Sequence, residues 1–491
     1  METVLDRSPS PQFDDLDAFQ TSASPYVDRT RAAPPRPDNL EIWESESTRP
    51  LQVAGDGGSH IDLAGALQHY LPRCLAHPYL PRAEIERQKL ERIKYLVELA
   101  CAEIPVYKEK YRAAGFKPSD LRTIDDIQHI PVITKQELVA AFPDRCLNPR
   151  FRPEDLFQTR SSGSSGQTLL IRVDLDAIVT DTIQGVRQFA LQSGGDYAPS
   201  DLIAHVYTVP WWFSSVDGAY PTAFISNVLP AKRVAEHLGE MQPEILSCYP
   251  SNLDALVEHA GRFDGRLRLA VTHSEHSTKS ARAQWAQRLG APVLDEYSSE
   301  EATRIALEAP CGHYHVCEDT VHLDVLDPAT MRPQTPGRSG VAVITNLLNE
   351  AMPFIRYVQG DCITEPSSPE PCALSWKQIE SIGGRANDAF VNKFGRSAPA
   401  GSILDITYRW MFDCDIHLKQ FELVQIGSER IAASFAPGPG VSEAKIRGAL
   451  GHLQELIGLC LEHPVHVALT LVDAFPPSPG KRRPIRRAIA S

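Results

Sequence analysis

The sequence lacks any apolar run long enough to cross a membrane, although 42% of its 491 residues are hydrophobic. A transmembrane helix needs about 20 consecutive apolar residues, so no membrane-spanning segment is predicted. An excess of positive charge is missing as well, because 49 lysines and arginines stand against 62 aspartates and glutamates, a net charge of −13. Apart from a short basic cluster at the C-terminus the basic residues are scattered, which argues against a nucleic-acid partner.

Two further signals are absent. Residues 1–19 are acidic and contain no apolar stretch, so they do not form a secretory signal, and a cytoplasmic location is the default expectation. The ten cysteines lack the dense spacing of a disulfide-bonded small domain. In a reducing compartment they are expected to be free thiols.

The length predicts at least two domains, because compact domains usually stop growing at roughly 250–300 residues. Residues 1–60 are rich in proline, aspartate and serine without apolar periodicity, so we expect a flexible arm there. Residues 61–383 are assigned to a large α/β domain, in which β-rich and helical runs alternate. Residues 384–491 are assigned to a small, mobile α+β domain.

Local patterns predict individual elements. Apolar residues at helical spacing from Ile93 to Cys101 predict a helix that ends near Ile104, and Thr134 with Glu137 forms a capping box that predicts a second helix start. Strands are predicted in the first domain over 202–207, 267–272, 292–297, 321–326 and 340–346. In the second domain strands are predicted over 421–426, 431–435 and 465–472, with a helix over 442–457.

The strongest motif is a loop of small residues, Arg160-Ser-Ser-Gly-Ser-Ser-Gly-Gln-Thr168, which precedes a β-like run. Glycines let the backbone approach a polyphosphate, and serine hydroxyls with main-chain N–H groups supply donors. No lysine follows Gly166, so the loop is not that of the nucleoside triphosphatases. A Gly/Ser linker is the alternative interpretation.

Two motifs carry acidic residues, one directly after the apolar run of residues 291–294 and one at a turn. Asp295-Glu-Tyr-Ser-Ser-Glu-Glu301 carries an aromatic ring that could stack on a base and carboxylates that could hold Mg²⁺. Gly360-Asp361 places a carboxylate where it could accept both hydroxyls of a ribose. Taken singly, the first could be a solvated acidic turn and the second an ordinary turn.

Two motifs lie in the C-terminal part. Ile382-Gly-Gly-Arg-Ala-Asn-Asp388 falls at the change of composition where the domain boundary is placed. Pro476-Pro-Ser-Pro-Gly-Lys481 puts a lysine on a proline- and glycine-rich loop, where its charge could meet a phosphate. Alternatively, Lys481 is the first residue of the basic tail.

In order and spacing these segments resemble the adenylate-forming superfamily, and within it the phenylacetate-CoA ligase-like branch. The resemblance runs from about Tyr79 to the C-terminus. It includes the segments Glu103–Lys108, Ala114–Phe116 and Ile130–Lys135. The phosphate loop of that branch reads SSGTTGKP, whose small residues and glycines are kept here.

The resemblance implies a role for each matched residue. Tyr297 would stack on adenine, Glu301 would bind Mg²⁺, and Asp361 would bind the ribose. Arg385 would be the arginine that opens the C-terminal domain, Asp388 the hinge, and Lys481 the lysine that contacts the acyl carboxylate and the α-phosphate. The remaining nucleotide-binding positions are Ser161, Ser162, Gly163, Ser164, Ser165, Gly166 and Ser298.

The sequence departs from the family pattern at several of these positions. Gln167 replaces the usual loop lysine, Ser298 replaces the glycine after the tyrosine, and Glu300 adjoins Glu301 as an alternative metal ligand. Arg356 is expected to be a structural pair partner of the ribose site.

The implied activity is ATP- and Mg²⁺-dependent activation of a carboxylic acid as an acyl-adenylate, with transfer to coenzyme A. An aromatic run in the region of the acyl pocket favours an aromatic acid: Trp211, Trp212, Phe213 and Tyr220. Other acceptors stay open, namely a carrier protein, an amine, or nitrite in a diazotase-like reaction. A catalytically degenerate scaffold and a homodimeric assembly also stay open.

A cluster of cysteines and histidines could hold zinc. The candidate ligands are Cys311, His313 and Cys317, with Cys248 as a distant partner. Alternate residues of an extended strand lie about 6.6 Å apart, too far for four ligands in a row to reach one tetrahedral ion. An accidental cluster is therefore the preferred interpretation.

Overall fold

The computed structural model describes residues 62–161, 169–207, 214–227, 229–263, 265–385, 388–395, 397–438, 440–475 and 483–488. The predicted N-terminal arm lies outside these residues. None of the helices in the described part is both long and apolar enough to span a bilayer.

Ten α-helices are described, and several begin at the residues that the sequence indicates. They are α1 (Leu63–Ala76), α2 (Arg82–Glu103), α3 (Pro105–Ala114), α4 (Lys135–Ala141), α5 (Leu175–Gln192), α6 (Ala231–Met241), α7 (Pro250–Leu256), α8 (Lys279–Leu289), α9 (Ala400–Asp413) and α10 (Glu443–Leu461). The predicted capping box is confirmed, since the Thr134 backbone N–H donates to Glu137 at 2.8 Å and the Glu137 backbone N–H donates back to the Thr134 hydroxyl at 3.3 Å.

Twenty strands are described. The first nine are β1 (Phe157–Arg160), β2 (Leu170–Val173), β3 (Ile203–Tyr207), β4 (Thr222–Ser226), β5 (Ile245–Cys248), β6 (Leu269–His273), β7 (Val293–Ser299), β8 (Thr303–Glu308) and β9 (Tyr314–Val316). The others are β10 (Val321–Leu326), β11 (Ser339–Asn346), β12 (Tyr357–Thr364), β13 (Gln378–Ile379), β14 (Ser381–Arg385), β15 (Phe390–Val391), β16 (Ser397–Ala398), β17 (Leu418–Gly427), β18 (Arg430–Pro437), β19 (His466–Leu471) and β20 (Ile485–Arg487).

An eight-stranded sheet forms the centre of the larger part, in the order β13-β9-β8-β7-β6-β5-β3-β4. Strands β4, β3, β5, β6 and β7 are mutually parallel. Beyond β7, each of β8, β9 and β13 is antiparallel to the strand before it in the sheet. The parallel strands are buried almost throughout, as a sheet covered on both faces requires. Because the strands are parallel, their carboxyl ends meet at one edge of the sheet.

A four-stranded antiparallel sheet, β10-β11-β12-β14, packs beside the first one. Strands β12 and β14 place Asp361 opposite Arg385, and the register shifts between Asp361 and Ile363. A bulge of this kind bends a strand locally and redirects its side chains. The two motifs around Asp361 and Arg385 are thereby brought together at one edge.

The C-terminal part has a hydrophobic core of its own, built from residues between Phe390 and Ile485. Its sheet has the order β19-β18-β17-β20 and is covered by α9 and α10. Strand β14 still pairs with β12 through Arg385, so the sheet of the larger part continues slightly beyond the predicted boundary at residue 383. The two-domain division itself stays a prediction.

Candidate active site

The carboxyl edge of the parallel strands is lined by aromatic and acidic residues. Tyr207 ends β3, Tyr249 follows β5, His273 ends β6, and Tyr297 lies near the end of β7. Ligands of open α/β sheets bind outside the carboxyl ends of the strands. This edge is therefore the candidate site.

A chain of hydrogen bonds joins three of the predicted nucleotide-binding residues. The Tyr297 hydroxyl donates to Asp361 Oδ2 at 2.7 Å, and Arg385 Nε lies 2.9 Å from Asp361 Oδ1. Arg385 Nη1 also donates to the backbone carbonyl of Gln359 at 2.7 Å, which fixes the plane of the guanidinium. Residues from β7, β12 and β14 thus form one hydrogen-bonded unit, in which Tyr297 and Asp361 are buried and Arg385 is partly exposed.

The protonation states of this unit follow from its contacts. Burial, together with the neighbouring Asp361 carboxylate, raises the pKa of Tyr297 well above its usual value, so its hydroxyl stays a donor. The Asp361 carboxylate also raises the pKa of Arg385, against the opposing effect of burial. The unit therefore presents an oriented phenol, a carboxylate and a guanidinium.

Glu301 lies beside this unit and is only 7% exposed. The Tyr357 hydroxyl donates to Glu301 Oε1 at 3.0 Å, and the Asn346 side-chain amide donates to the Glu301 backbone carbonyl at 2.9 Å. Burial raises the pKa of Tyr357, and the Glu301 carboxylate raises it further. The Tyr357 hydroxyl therefore stays protonated and remains a donor. Within the described part of the chain the carboxylate is held through Oε1, so Oε2 is available for a cation.

Glu300 points elsewhere. Its Oε2 accepts a hydrogen bond from the Thr159 hydroxyl at 2.7 Å, and its side chain is half-buried. Thr159 lies in β1, directly before the predicted phosphate loop. Glu300 therefore ties the loop hairpin to the turn after β7, and Glu301 is the better candidate for the metal ligand.

The predicted phosphate loop is the tip of the β1–β2 hairpin. Residues 162–168, including Gln167, lie outside the described part of the chain. Ser161 and Leu169 flank them: Ser161 N–H donates to the Leu169 carbonyl at 3.0 Å, and Leu169 N–H donates to Ser161 Oγ at 2.9 Å. The base of the hairpin is thus paired and lies next to the turn that carries Glu300 and Glu301.

Ser298 lies at a register shift between β7 and β8, beside Tyr297.

Lys135 is a site residue to which the sequence analysis gave no role. It is the first residue of α4, and the charges of Glu301 and Arg385 both act on its ammonium group. Burial lowers the pKa of Lys135, and Glu301 partly opposes that effect. The segment Ile130–Lys135 was the available signal, since it is part of the family resemblance.

Three rings form a cluster beside the nucleotide unit that the sequence analysis also missed. Ring centroids are 5.2 Å apart for Tyr207 and Tyr249, 5.3 Å for Tyr207 and His273, and 5.4 Å for Tyr249 and His273. Burial raises the pKa of Tyr207 above its usual value, with further contributions from Tyr249 and Glu300. The signal available in the sequence was the position of Tyr207 and His273 at the ends of predicted strands; no strand was predicted before Tyr249.

The structure corrects the predicted place of Tyr220 in the acyl pocket. Tyr220 precedes β4, so it lies at the amino edge of the parallel strands, opposite the ring cluster. It is 5% exposed and packs on Tyr197 with ring centroids 5.5 Å apart. Trp211, Trp212 and Phe213 lie outside the described residues.

The predicted pairing of Arg356 with the ribose site is wrong. Arg356 Nη1 donates to the Ile127 backbone carbonyl at 2.8 Å and lies 3.4 Å from Asp324 Oδ2. Asp361 is paired with Tyr297 and Arg385 instead. The guanidinium of Arg356 therefore fixes the helical N-terminal part against β10.

The predicted hinge residue Asp388 is buried and accepts a forked pair of hydrogen bonds from Arg483, one of them at 2.8 Å. Arg483 is two residues beyond Lys481, which itself lies outside the described part. The pair joins the start of the C-terminal part to the segment that follows Lys481. The hinge role stays a prediction.

The predicted zinc ligands are only partly brought together. Among the described residues, Cys311, His313 and His315 form the group that could hold a metal ion. Cys248 is buried in the core around β3, β5 and β6, and Cys317 is buried against Trp376, so neither belongs to that group. Their assignment as ligands is corrected, because Cys317 lies just beyond the end of β9 and is buried in the core beside Trp376.

The fold is that of the adenylate-forming coenzyme A ligases. No family model matches the chain. The solved structure of 2-hydroxyisobutyryl-CoA ligase in the postadenylation state with 2-HIB-AMP superposes with a TM-score of 0.70 at 20% identity, covering 84% of this chain and 91% of that one. The predicted fold class is confirmed.

Within that class, the chain is similar to phenylacetate-coenzyme A ligases. It is 25% identical over 325 residues to that of Escherichia coli (strain K12), covering 63% of this chain and 72% of that protein. It is also 25% identical over 331 residues to that of Thermus thermophilus, covering 64% and 73%. The predicted resemblance to this branch is therefore confirmed.

Proposed function

We propose that this chain activates a carboxylic acid as an acyl-adenylate at the expense of ATP and transfers the acyl group to coenzyme A. The observation that carries the proposal is the hydrogen-bonded unit of Tyr297, Asp361 and Arg385 with Glu301 beside it. The similar phenylacetate-coenzyme A ligases support coenzyme A as the acceptor.

In the proposed nucleotide complex Asp361 accepts the ribose hydroxyls. An ionised carboxylate has about four lone-pair positions, so the bonds from Tyr297 and Arg385 leave acceptor capacity for a diol. Tyr297 would present its ring to the adenine while its hydroxyl stays on Asp361. Arg385 would add positive charge close to the ribose.

The charges around Glu301 suit adenylation. The acid carboxylate attacks the α-phosphorus and expels pyrophosphate, so negative charge shifts among the phosphoryl oxygens. A carboxylate with one uncommitted oxygen is a suitable ligand for Mg²⁺, which would supply electrostatic stabilisation. Lys135 and Arg385 lie close enough to Glu301 for their charges to interact with it, and they would add positive charge on the protein side.

The ring cluster of Tyr207, Tyr249 and His273 is the proposed acyl pocket. It lies at the carboxyl edge next to the nucleotide unit, and Tyr249 and His273 are 5% and 8% exposed. Planar ligands stack favourably on aromatic side chains. The pocket therefore favours an aromatic acid. Attack on the α-phosphorus would place the carboxylate of that acid beside Glu300 and Glu301.

The proposal is tested by a pyrophosphate-release screen over aliphatic and aromatic carboxylic acids. Each acid is combined with coenzyme A, hydroxylamine or nitrite, and the products are identified by mass spectrometry. We expect release that depends on an aromatic acid and an acyl-CoA product. Release without acid would indicate simple ATP hydrolysis, and a product only with another acceptor would overturn the assignment of coenzyme A.

Asp361→Ala is expected to weaken nucleotide binding by about 1.5–3 kcal/mol, the usual contribution of charge-assisted hydrogen bonds. This corresponds to a dissociation constant roughly 10- to 150-fold higher. Calorimetry with an ATP analogue blocked at the α,β bridge measures the change. Asp196→Ala, at an exposed surface ion pair, is the matched control. Unchanged affinity in a folded Asp361 variant would rule out the ribose assignment.

Tyr249→Ala is expected to raise the KM for the acid about 10- to 100-fold, the usual range for a lost hydrophobic contact in a specificity pocket. The KM for ATP should stay nearly constant, because Tyr249 packs its ring against Tyr207 and His273 in the proposed acyl pocket. Steady-state kinetics with each substrate varied in turn separates the two. Phe394→Ala, at an exposed ring of the C-terminal part, serves as the control. A rise in both constants would place Tyr249 outside the acyl pocket.

A further inference from the structure

The first turn of α9 packs very closely on the larger part, at a contact that contains two glycines. Gly401 follows the first residue of α9, and a Cβ atom placed on it would lie 2.7 Å from His276 Nε2 and 3.3 Å from the Cα atom of Gly383 on β14. A Cβ atom placed on Gly383 would lie 2.7 Å from the Cβ atom of Pro399. Non-bonded carbon atoms pack best about 3.5–4.0 Å apart. The two segments can therefore approach this closely only because both residues lack a side chain.

The side chain covered by this contact is that of His276, which lies between β6 and α8. Within the described part of the chain its Nε2 is buried without a hydrogen-bond partner. Burial, and after it the charge of Arg282 on α8, lowers the pKa of His276 to about 4, so the ring is neutral near neutral pH. Gly401 keeps this nitrogen from water and supplies no donor in exchange, which costs free energy. The contact is therefore tight and at the same time opposed by the unpaired nitrogen.

Other contacts between the two parts surround this one. Tyr408 of α9 packs against apolar residues of both parts. His417 Nε2 lies 3.6 Å from Glu258 Oε1, in an ion pair whose side chains are both exposed. An exposed ion pair contributes little to stability. Among these three contacts the one at Gly401 has the shortest separations, so it is the most sensitive to the position of α9.

The contact joins residues from the two sides of the predicted hinge. His276 and Gly383 precede Asp388 in the chain, whereas Pro399 and Gly401 follow it. A rotation of the C-terminal part about Asp388, a hinge motion of the usual kind, would separate the two sides. His276 Nε2 would then return to water.

We propose that Gly401 and His276 are positioning residues, whose contact holds the C-terminal part in the arrangement described here for one of the two half-reactions. The contact has to open before the other half-reaction proceeds, and the unpaired nitrogen favours that opening. The inference rests on the proposed function, since it assigns the arrangement to one of its two steps. Neither residue belongs to the nucleotide unit or to the ring cluster, so their role is exerted through the position of α9.

Hydrogen exchange without substrates tests the contact itself. Gly401→Ala is compared with Gly448→Ala, at an exposed glycine of α10 where an added Cβ atom meets no other atom within 4 Å. Peptides covering residues 273–279 and 399–404 should exchange at least about threefold faster in the Gly401 variant, because opening exposes both sides of the contact. In the Gly448 variant both peptides should exchange at the wild-type rate. Unchanged exchange of both peptides in the Gly401 variant would overturn the proposal.

The two half-reactions test the positioning role. In Gly401→Ala one of them, pyrophosphate release or acyl transfer from a synthetic adenylate, should fall at least about tenfold, because a displacement of about 1 Å can lower a rate about 100-fold. The other half-reaction should change less than about threefold, because it uses the arrangement in which the contact is open. Adding His276→Ala to Gly401→Ala removes the ring that the new methyl group meets, so most of the lost rate should return.

Equal losses in both half-reactions, or a double variant no faster than the Gly401 variant, would overturn the positioning role, since a general structural defect gives those results. Failure of the proposed function looks different. It would appear as a lack of acid-dependent pyrophosphate release from the wild-type chain, and the exchange measurement would then decide on the contact alone.

Discussion

Lys481→Ala is expected to lower acid-dependent pyrophosphate release by at least two to three orders of magnitude, the usual effect of removing one group that stabilises transition-state charge. Acyl transfer from a chemically supplied acyl-adenylate should be nearly unchanged, because the lysine would act only in the step in which charge develops on the α-phosphate. Lys481 lies outside the described residues. Arg483, two residues further on, donates two hydrogen bonds to Asp388 at the start of the C-terminal part.

The two half-reactions are measured separately, by pyrophosphate release and by acyl-CoA formation from synthetic adenylate. Arg486→Ala is the matched control, since Arg486 forms only a surface ion pair with Glu422 on β17. Equal losses in both half-reactions would argue against alternating positions of the C-terminal part. Full activity in both would assign Lys481 to the basic tail and not to the site.

Glu301→Gln is expected to lower pyrophosphate release roughly 100- to 1,000-fold, because the substitution removes the charge that would hold Mg²⁺ at the reacting phosphates. The volume of the side chain is kept, and the Tyr357 hydroxyl still has an oxygen to donate to. A large effect would therefore report the lost charge and not a collapsed site. The rate is measured over a range of Mg²⁺ concentrations.

Glu300→Gln provides the comparison at the neighbouring position. Glu300 accepts from Thr159 and is half-buried, so an amide oxygen can replace the carboxylate oxygen there, and we expect less than about a tenfold loss. The Mg²⁺ concentration for half-maximal rate should rise for the Glu301 variant and not for the Glu300 variant. The reverse ranking would move the metal ligand by one residue.

Local elements could be predicted from the sequence because their causes are local. The capping box at Thr134 and the apolar stripe of α2 are encoded within one or two turns of helix. Of the buried parallel strands, β3, β6 and β7 were predicted from short β-rich runs, whereas β4 and β5 were not. Glu301 was singled out because its motif follows such a run, whereas Asp361 was singled out at a Gly-Asp turn and lies within β12.

The remaining features depend on pairings between distant parts of the chain. Arg356 faces Asp324 because β10 and the N-terminal helices meet there, and no local pattern indicates that choice. The ring cluster at Tyr207 arises from the order of β3, β5 and β6 in the sheet. Tyr220 was misplaced because the sequence does not show at which edge of β4 it lies.

The cysteine and histidine cluster illustrates both cases. The sequence pattern singled out Cys311 and His313, but strand alternation alone could not reveal the turn at Gly312 that brings their side chains close to His315. Cys372 is about 60 residues away along the chain, so its approach to Cys311 required the tertiary structure.

The most direct test of the central claim uses an acid labelled with heavy oxygen in its carboxylate. The acid is an aromatic one identified by the pyrophosphate-release screen, and it is incubated with ATP, Mg²⁺ and coenzyme A before mass spectrometry of the nucleotide product. If the acid forms an acyl-adenylate, transfer to coenzyme A leaves one labelled oxygen on the phosphate of AMP. Unlabelled AMP, or ADP with labelled inorganic phosphate, would contradict adenylation of the acid by this chain.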